Sequence, residues 1–143
     1  MNTFQNNYKK KKLKIVNHPK GKIIKLLDIN DDYFSKFGEL YISEIKKNKV
    51  KAWKFHKKNC LNIFVLEGKV KFAFAYKKKN GWSFKTVLIN TKIHQILHIP
   101  NSIWFGFKGL HKSNKLLSLS NKKFSEKELL RKKIDDFNFN WGN

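Results

Sequence analysis

The sequence has 143 residues, of which 41% are hydrophobic and 15% aromatic, and a formal net charge of +22. This length corresponds to one domain, and the apolar content is sufficient for a core, which excludes a wholly disordered chain. Its apolar runs are far shorter than the roughly 18 residues of a membrane span, and its 32 basic residues include a single arginine, which disfavours base-reading nucleic-acid proteins.

The N-terminal part of the chain predicts a tail followed by short strands. Residues 1–12 are polar and basic without periodicity, which predicts a flexible tail ahead of a single domain at residues 13–143. Two apolar segments, Leu13–Val16 and Ile23–Leu27, flank the turn sequence NHPKG and are predicted strands. The segments GELYISEI and KAWKFH are predicted as the next two strands.

The C-terminal half continues the β pattern. The segment LNIFVLEGKVKFAFAY predicts a hairpin that turns near Glu67–Lys69, and Asn80-Gly81 predicts a type I′ turn into the next strand. Three more strands are predicted at HQILHIP, IWFGF and KLLSLS. Ser125, with Glu128 three residues later, fits a capping box and predicts a short C-terminal helix. About nine or ten short strands at this spacing predict a mainly β single domain, most simply a β-sandwich or jelly roll.

The segment KAWKFHKK carries the candidate chemistry. In a strand, Ala52, Lys54 and His56 share one face, while Trp53 and Phe55 share the other. The alternation alone does not say which face is buried, so two interpretations stay open: cations in solvent over a core of rings, or cations in a pocket. In a pocket, the imidazole could remove a proton next to a carbonyl and the ammonium could stabilise the enolate oxygen.

The cysteine and histidine residues indicate which cellular compartment suits the protein and whether it could bind a metal ion. Cys60 is the single cysteine, so an internal disulfide is impossible and a reducing compartment is favoured. The basic N-terminus is followed by the short segment LKIV, which is too little for the apolar core of a signal peptide, so a cytoplasmic protein is predicted. His94 and His98 would lie about 13 Å apart along a strand, which disfavours a metal site.

The excess of lysine has more than one explanation. Lys, Asn, Ile and Phe are abundant together, as AT-rich coding would produce. The charge also creates a field that attracts anionic ligands, including nucleotide diphosphates. A nucleic-acid binder without sequence preference is a further hypothesis, and steep loss of binding with added salt would identify it.

Six segments in fixed order carry a family resemblance: HPKGKIIKLLD, FGELYISEI, KAWKFHKK, EGKVKFAFAY, IPNSIWFGFKGL and IDDFNFNW. Between His18 and Trp141 the chain resembles the dTDP-4-dehydrorhamnose 3,5-epimerase family. More narrowly, it resembles the short cupins grouped around that enzyme and the dTDP-sugar 3,4-ketoisomerases. The resemblance implies a double-stranded β-helix that is usually a homodimer, without a required metal or cofactor. It also implies a pocket inside the barrel for a nucleotide-linked 4-keto-6-deoxy sugar.

The resemblance implies that Lys54 and His56 face this pocket, while Trp53 and Phe55 pack outside. It also places apolar side chains on the barrel wall, namely Leu61, Ile63, Val65, Phe105 and Phe107. Four catalytic positions of the epimerases are changed; the general-base histidine, a second histidine, a lysine and a tyrosine fall at Lys54, at Phe105, at Leu61 and near Ser118. His56 matches the second histidine of the ketoisomerase pair. Asp135 or Asp136 falls where the epimerases keep the aspartate that orients the base.

Two functional hypotheses follow from this pattern. The first is an isomerase or epimerase of a nucleotide-linked keto sugar in surface-polysaccharide biosynthesis, with His56 as base, Lys54 as oxyanion stabiliser and Tyr41 as proton donor. The predicted substrate-binding residues are Lys51, Lys57, Phe105 and Phe107. The second is a non-catalytic sugar-nucleotide or glycan-binding cupin, which the four changed positions favour.

Overall fold

The computed structural model describes residues 7–142 and contains two five-stranded antiparallel sheets and a two-stranded ribbon. The strands are β1 (Lys9–Lys12), β2 (Lys14–Val16), β3 (Ile23–Lys25), β4 (Glu39–Glu44), β5 (Val50–His56), β6 (Leu61–Glu67), β7 (Lys69–Lys78), β8 (Gly81–Asn90), β9 (Gln95–Ile99), β10 (Trp104–Gly109), β11 (Lys115–Ser120) and β12 (Leu129–Arg131). The first sheet has the order β1-β9-β6-β11-β4, and the second has the order β12-β5-β10-β7-β8. This arrangement confirms the predicted jelly roll. In the part of the chain described, no helix is long and apolar enough to cross a membrane.

The main core lies between the two sheets and follows the period of two that strands impose. On β7 the inward residues Val70, Phe72, Phe74 and Tyr76 are all buried, as their alternation predicts. Opposite them, β6 contributes Leu61, Ile63 and Val65, and β10 contributes Phe105 and Phe107. Each such side chain stabilises the fold by about 1.5–3 kcal/mol relative to exposure.

A second apolar cluster covers the outer face of the β5-containing sheet. Trp53 is 1% exposed and packs edge-on against Phe137, with ring centroids 5.1 Å apart. Trp141 lies 5.3 Å from the same indole, and Phe55 packs on Trp104. The C-terminal segment 137–141 therefore buries the aromatic face of β5, which leaves the opposite face of this strand directed between the sheets.

The predicted N-terminal tail differs from the structure. Lys9–Lys12 form β1, which extends the first sheet by pairing antiparallel with β9. Lys11 Nζ also lies 2.7 Å from Asp31 Oδ1. Backbone pairing to the edge of a sheet needs no apolar side chains, so composition alone did not reveal this strand. The first six residues of the predicted tail lie outside the described residues.

The hairpin predicted at Glu67–Lys69 is wrong, because β6 and β7 belong to different sheets. Gly68 turns the chain at this corner with a φ of 86°, and a Cβ there would lie 2.3 Å from the carbonyl oxygen of Ser113. Apolar and polar residues alternate in the same way along two strands that pair in one sheet and along two strands that face each other across the core. The alternation therefore could not distinguish these two arrangements. The hairpin of β7 and β8 is confirmed, with Lys78 opposite Gly81.

The predicted C-terminal helix is also wrong. Ser125 and Glu128 lie in a turn, Leu129–Arg131 form strand β12 against β5, and a single 3-10 turn follows at Ile134–Asp136. A capping box needs the side chain of Glu128 to bond back to Ser125. That carboxylate instead bonds to β5 and the loop after it. A tertiary contact has overridden the local pattern.

The close approach of the neighbouring strands β5 and β10 at Gly106 gives a first testable prediction. A Cβ added at Gly106 would lie 2.4 Å from Cβ of Ala52 and 3.0 Å from its Cα. We expect Gly106→Ala to lower the free energy of unfolding by about 1–3 kcal/mol through overpacking, measured by urea denaturation. Ala52→Gly removes one of the two clashing methyl groups, so the double variant should lose less than the sum of the single losses. Additive losses would show that this contact is not the constraint.

Candidate active site

A cavity opens between the two sheets beside β5. It consists of two adjoining hollows of about 280 Å³ and 110 Å³. Both hollows are lined by Tyr41, Lys54, His56, Leu61 and Phe124. We call this space the barrel cavity. It brings together the three side chains predicted to act on the substrate.

The course of β5 explains why these cations point inward. Trp53 and Phe55 are held in the outer aromatic cluster, so Lys54 and His56 face the cavity. The register between β5 and β10 shifts here. Phe105 pairs with Lys54 and Phe107 pairs with Lys51, so two residues along β10 correspond to three residues along β5. Beyond such a bulge, the side chains of the strand point to the opposite face of the sheet from that expected by simple alternation. As a result the side chain three positions before Lys54, that of Lys51, also lines the cavity, whereas Ala52 packs outward.

His56 is hydrogen-bonded to a carboxylate that the sequence did not suggest as its partner. His56 Nδ1 lies 2.5 Å from Glu128 Oε1, and the two residues are 9% and 7% exposed. Glu128 Oε2 accepts the backbone N–H of Lys58 at 3.3 Å and of Asn59 at 3.4 Å. Burial acts to raise the pKa of Glu128, but the bonds from His56 and these amides outweigh it and hold the pKa below its ordinary value.

An ionised Glu128 requires a proton on Nδ1 of His56 and so leaves Nε2 of a neutral imidazole as the acceptor. A ring oriented in this way and lining a cavity is equipped to act as a general base. Its orienting carboxylate is not Asp135 or Asp136. Asp136 is exposed and accepts the backbone N–H of Lys133 at 2.7 Å, and neither aspartate lines the barrel cavity.

Lys54 presents an ammonium with unusual electrostatics. Burial lowers the pKa of Lys54, the neighbouring charges of Arg131 and Lys51 lower it further, and Glu126 opposes them. Within residues 7–142, its Nζ has no hydrogen bond or ion pair. Lys51, by contrast, donates to the carbonyl of Glu44 at 2.7 Å. Lys54 is thus a free hydrogen-bond donor, and its lowered pKa makes it a stronger acid than an ordinary lysine.

Tyr41 stands on the facing sheet, on β4. Burial raises the pKa of its phenol, and a hydrogen bond with Ser118 opposes that shift. The phenol is therefore protonated at neutral pH and has a proton to donate. Phe105 and Phe107 line the deeper part of the cavity, as the resemblance implies. Lys57 is the exception among the predicted site residues, because it lies outside this cavity and lines a different hollow.

Glu128 is the functional residue that sequence reasoning missed. Its position directly before the apolar pair Leu129–Leu130 was a possible signal, since a carboxylate beside a buried strand requires a partner. Asn59 was missed as well: it is 3% exposed and donates to Ser120 Oγ at 3.3 Å and to the carbonyl of Lys122 at 3.2 Å. Among the described residues, no three His, Cys, Asp or Glu side chains are grouped to hold a metal ion.

The lowered pKa of Glu128 predicts an acid-dependent stability. A carboxyl whose folded pKa is below its unfolded value stabilises the fold above the unfolded value, and this contribution is lost as the pH falls. We expect the unfolding free energy to decline below the ordinary pKa of 4.5, and Glu128→Gln to weaken that decline. Urea denaturation from neutral to acid pH measures it. Glu67→Gln, at an exposed ion pair, should leave the slope unchanged; equal slopes in all three proteins would contradict the assignment.

Three comparisons relate the chain to known proteins. Residues 6–140 match the family described as FdtA: WxcM-like, C-terminal. A comparison with curated proteins gives no match. The fold is similar to the dTDP sugar isomerase of Desulfovibrio desulfuricans G20, with a TM-score of 0.84, 22% identity and coverage of 94% of this chain and 90% of that one.

Two other solved structures have the same fold. One is QdtA, a sugar 3,4-ketoisomerase of Thermoanaerobacterium thermosaccharolyticum in complex with TDP; the TM-score is 0.75 at 19% identity, with 91% of this chain and 90% of that one covered. The other is the 3,5-epimerase RmlC of Legionella pneumophila in complex with dTDP-4-keto-L-rhamnose; the TM-score is 0.76 at 14% identity, with 90% and 74% covered.

Proposed function

Because the chain belongs to the FdtA family (WxcM-like, C-terminal), we propose that it isomerises a nucleotide-linked 4-keto-6-deoxy sugar by moving a proton next to the keto group. The observation that carries this proposal is the buried His56–Glu128 pair at 2.5 Å on the wall of the barrel cavity. A non-catalytic binding protein has no need of an imidazole held in one tautomer beside an unpaired ammonium.

The proposed reaction begins with removal of the α-proton by Nε2 of His56. The electrons of the C–H bond form a carbon–carbon double bond, and the carbonyl electrons move to the keto oxygen. The Lys54 ammonium stabilises this oxyanion, which is the larger electrostatic contribution to such a step. Glu128 stabilises the imidazolium that results. Return of the proton from His56 to a ring carbon completes the isomerisation.

A 3,4-ketoisomerisation is the form of this reaction that the cavity supports best. In that reaction one base can remove the proton at C3 and return it at C4 on the same face of the ring. His56 is the single histidine on the cavity wall of the described chain. The oxygens at C3 and C4 must then exchange a proton, for which Lys54 or Tyr41 lies in the same cavity. Epimerisation at C3 or C5 needs an acid on the opposite face, and Tyr41 is the candidate for that role.

The proposed substrate spans the cavity and its rim. Phe105 and Phe107 provide apolar surface beside the sugar, and Lys51 provides a positive charge at one end of β5 for the diphosphate. The TDP and dTDP-linked sugar held by solved structures with this fold support a nucleotide-linked ligand. We place the protein in the cytoplasm and in surface-polysaccharide biosynthesis, where a 4-keto-6-deoxy sugar nucleotide would be available.

We propose a homodimer assembled through the outer face of the β4-containing sheet. Leu40 and Ile42 of β4 are 53% and 60% exposed there, and Leu66 of β6 is 45% exposed. Leu117 of β11 lies beside Ile42 on this face. A contiguous apolar band of this kind is typical of an interface. Sedimentation equilibrium should give twice the monomer mass of 17.0 kDa.

A second candidate function is a cupin that binds the sugar nucleotide without turning it over. The observation favouring it is that Leu61 and Ser118 line the cavity at the positions where the resembling epimerases have a lysine and a tyrosine. These substitutions remove groups that contact the keto oxygen and the leaving proton. The ammonium of Lys54 and the phenol of Tyr41 would have to replace them.

The deciding experiment incubates the protein with dTDP-4-keto-6-deoxyglucose in D₂O and follows the ring protons by NMR. Loss of a ring-proton signal next to the keto group supports proton abstraction. Growth of a 3-keto product supports ketoisomerisation, whereas an inverted C3 or C5 centre supports epimerisation. Line broadening of the ligand without exchange supports the non-catalytic binder. Absence of both effects would contradict the proposed function.

A further inference from the structure

A second hollow, separate from the barrel cavity, is bounded by lysines. Its volume is about 590 Å³, and it lies between the loop after β5 and the segment before β12. We call it the lysine basin. It is lined by Lys57, Lys58, Asn59, Lys122, Lys123, Ser125, Lys127 and Glu128. Of the lysines that line it, Lys57 alone was a predicted substrate-binding residue, and the proposed reaction uses none of them.

The walls of the lysine basin are held together by hydrogen bonds. The backbone N–H of Lys57 donates to the carbonyl of Glu128 at 2.9 Å, and Asn59 Nδ2 donates to the carbonyl of Lys122 at 3.2 Å. The N–H of Cys60 donates to Asn121 Oδ1 at 2.8 Å. These bonds tie the two segments to each other at three places. The basin is therefore a formed concavity of the fold.

Its charge is uncompensated. None of the five lysines forms an ion pair with a carboxylate among residues 7–142. Glu128, the one acidic residue on the wall, is already bonded to His56 and to two backbone amides. A hollow near β1 offers a contrast, since it has four lysines but also Asp28 and Asp31, of which Asp31 is paired with Lys11. The hollow near β1 is therefore partly compensated by its two aspartates, whereas in the lysine basin one carboxylate, already bonded elsewhere, stands among five lysines.

We propose that the lysine basin binds an oligophosphate, that is, a ligand with two or more linked phosphate groups. Ammonium groups bind phosphate as compact point charges, and five lysines lining one hollow match a ligand that carries several negative charges in a small volume. A hollow of this size is in the range of small-molecule sites. The concave form favours a small anion over the extended backbone of a nucleic acid.

This site is distinct from the end of the cavity assigned to the substrate diphosphate. Lys51 lines the barrel cavity and not the basin, whereas Lys57 lines the basin and not the barrel cavity. The basin nevertheless shares Asn59 with the barrel cavity, and its wall includes Glu128, which orients His56. An anion held there would lie beside the carboxylate that orients His56.

The test is isothermal titration calorimetry with sodium tripolyphosphate at about 0.15 M ionic strength, and it does not depend on the sugar reaction. The triple variant Lys122→Gln, Lys123→Gln and Lys127→Gln should weaken binding by at least about tenfold, because three charged contacts are lost. The matched control, which removes the same charge, is Lys12→Gln, Lys14→Gln and Lys25→Gln. It should bind within about twofold of the wild type, because the Debye length is about 8 Å at 0.15 M ionic strength and lysines outside the basin are then largely screened.

The single variant Lys51→Gln is titrated in the same way. Three results would overturn the proposal: the wild type does not bind tripolyphosphate, both triple variants weaken binding equally, or Lys51→Gln weakens binding while the basin triple variant does not. The second would show a diffuse field, and the third would place the phosphates in the barrel cavity. Lys123→Gln alone serves if the triple variant does not fold, with a smaller loss expected. A parallel titration with a nucleoside triphosphate identifies the source of the phosphates: equal affinity indicates that phosphates alone are recognised, and tighter binding indicates an added contact with the nucleoside.

Discussion

Replacing His56 by asparagine is expected to lower the rate of α-proton exchange by about 10²- to 10⁴-fold, the usual contribution of a general base. The side-chain N–H₂ of asparagine can still donate to Glu128 near the position of Nδ1, so the buried carboxylate keeps a partner. The acceptor that faces the cavity, Nε2, is removed. Exchange is measured by NMR in D₂O with dTDP-4-keto-6-deoxyglucose, and substrate binding is measured separately by calorimetry.

The matched control for this prediction is His98→Asn. His98 lies on β9, outside the barrel cavity; its Nδ1 is 2.8 Å from Asn62 Oδ1, and its ring is tilted against that of Tyr33 with centroids 5.3 Å apart. This variant should exchange the α-proton at the wild-type rate. If His56→Asn binds the substrate, keeps its thermal transition and retains exchange within about threefold, His56 is not the base. If Glu128→Gln shifts the pH profile of exchange relative to the wild type and His98→Asn does not, Glu128 acts by positioning the imidazole.

The orientation of β5 shows where prediction from sequence succeeded and where it stopped. The alternation of cations and rings predicted the strand, and the family resemblance placed the cations inside. The residues that fix this choice lie far along the chain, since Phe137 and Trp141 cover Trp53. No local pattern around position 53 contains that information. His56 and Glu128 are likewise far apart in sequence, by 72 residues, and the local capping pattern had assigned Glu128 to a helix instead.

The fold was more predictable than the site for a physical reason. Alternation of apolar residues along β7 and β6 identifies strands and their buried faces irrespective of the partner. The order of the strands depends on the turns between them, such as the one at Gly68. Their pairing also depends on register shifts, such as the one between Phe105 and Phe107. That shift also brings Lys51 to the cavity. The positions of side chains in a site depend on such irregularities, which the period of two does not encode.

Replacing Lys54 by methionine is expected to lower the exchange rate by about 10²- to 10³-fold, as loss of one oxyanion donor does in other enzymes. Methionine keeps the apolar stem of lysine, so the cavity wall is largely preserved. The effect should fall on kcat more than on KM, because the oxygen gains its charge during the reaction. Lys78→Met, at an exposed position at the end of β7, is the matched control and should react as the wild type does.

The pH profile provides an independent test of the same ammonium. The active form is the protonated one, and the pKa of Lys54 is lowered from its ordinary value of 10.5 by burial and by Arg131 and Lys51. Wild-type activity should therefore decline on the alkaline side at a pH below that ordinary value. Lys54→Arg keeps the charge at all these pH values and should remove this decline while retaining part of the rate. An unchanged alkaline decline in both Lys54→Arg and Lys54→Met would assign it to another group, and a wild-type rate in Lys54→Met would exclude Lys54 as the oxyanion donor.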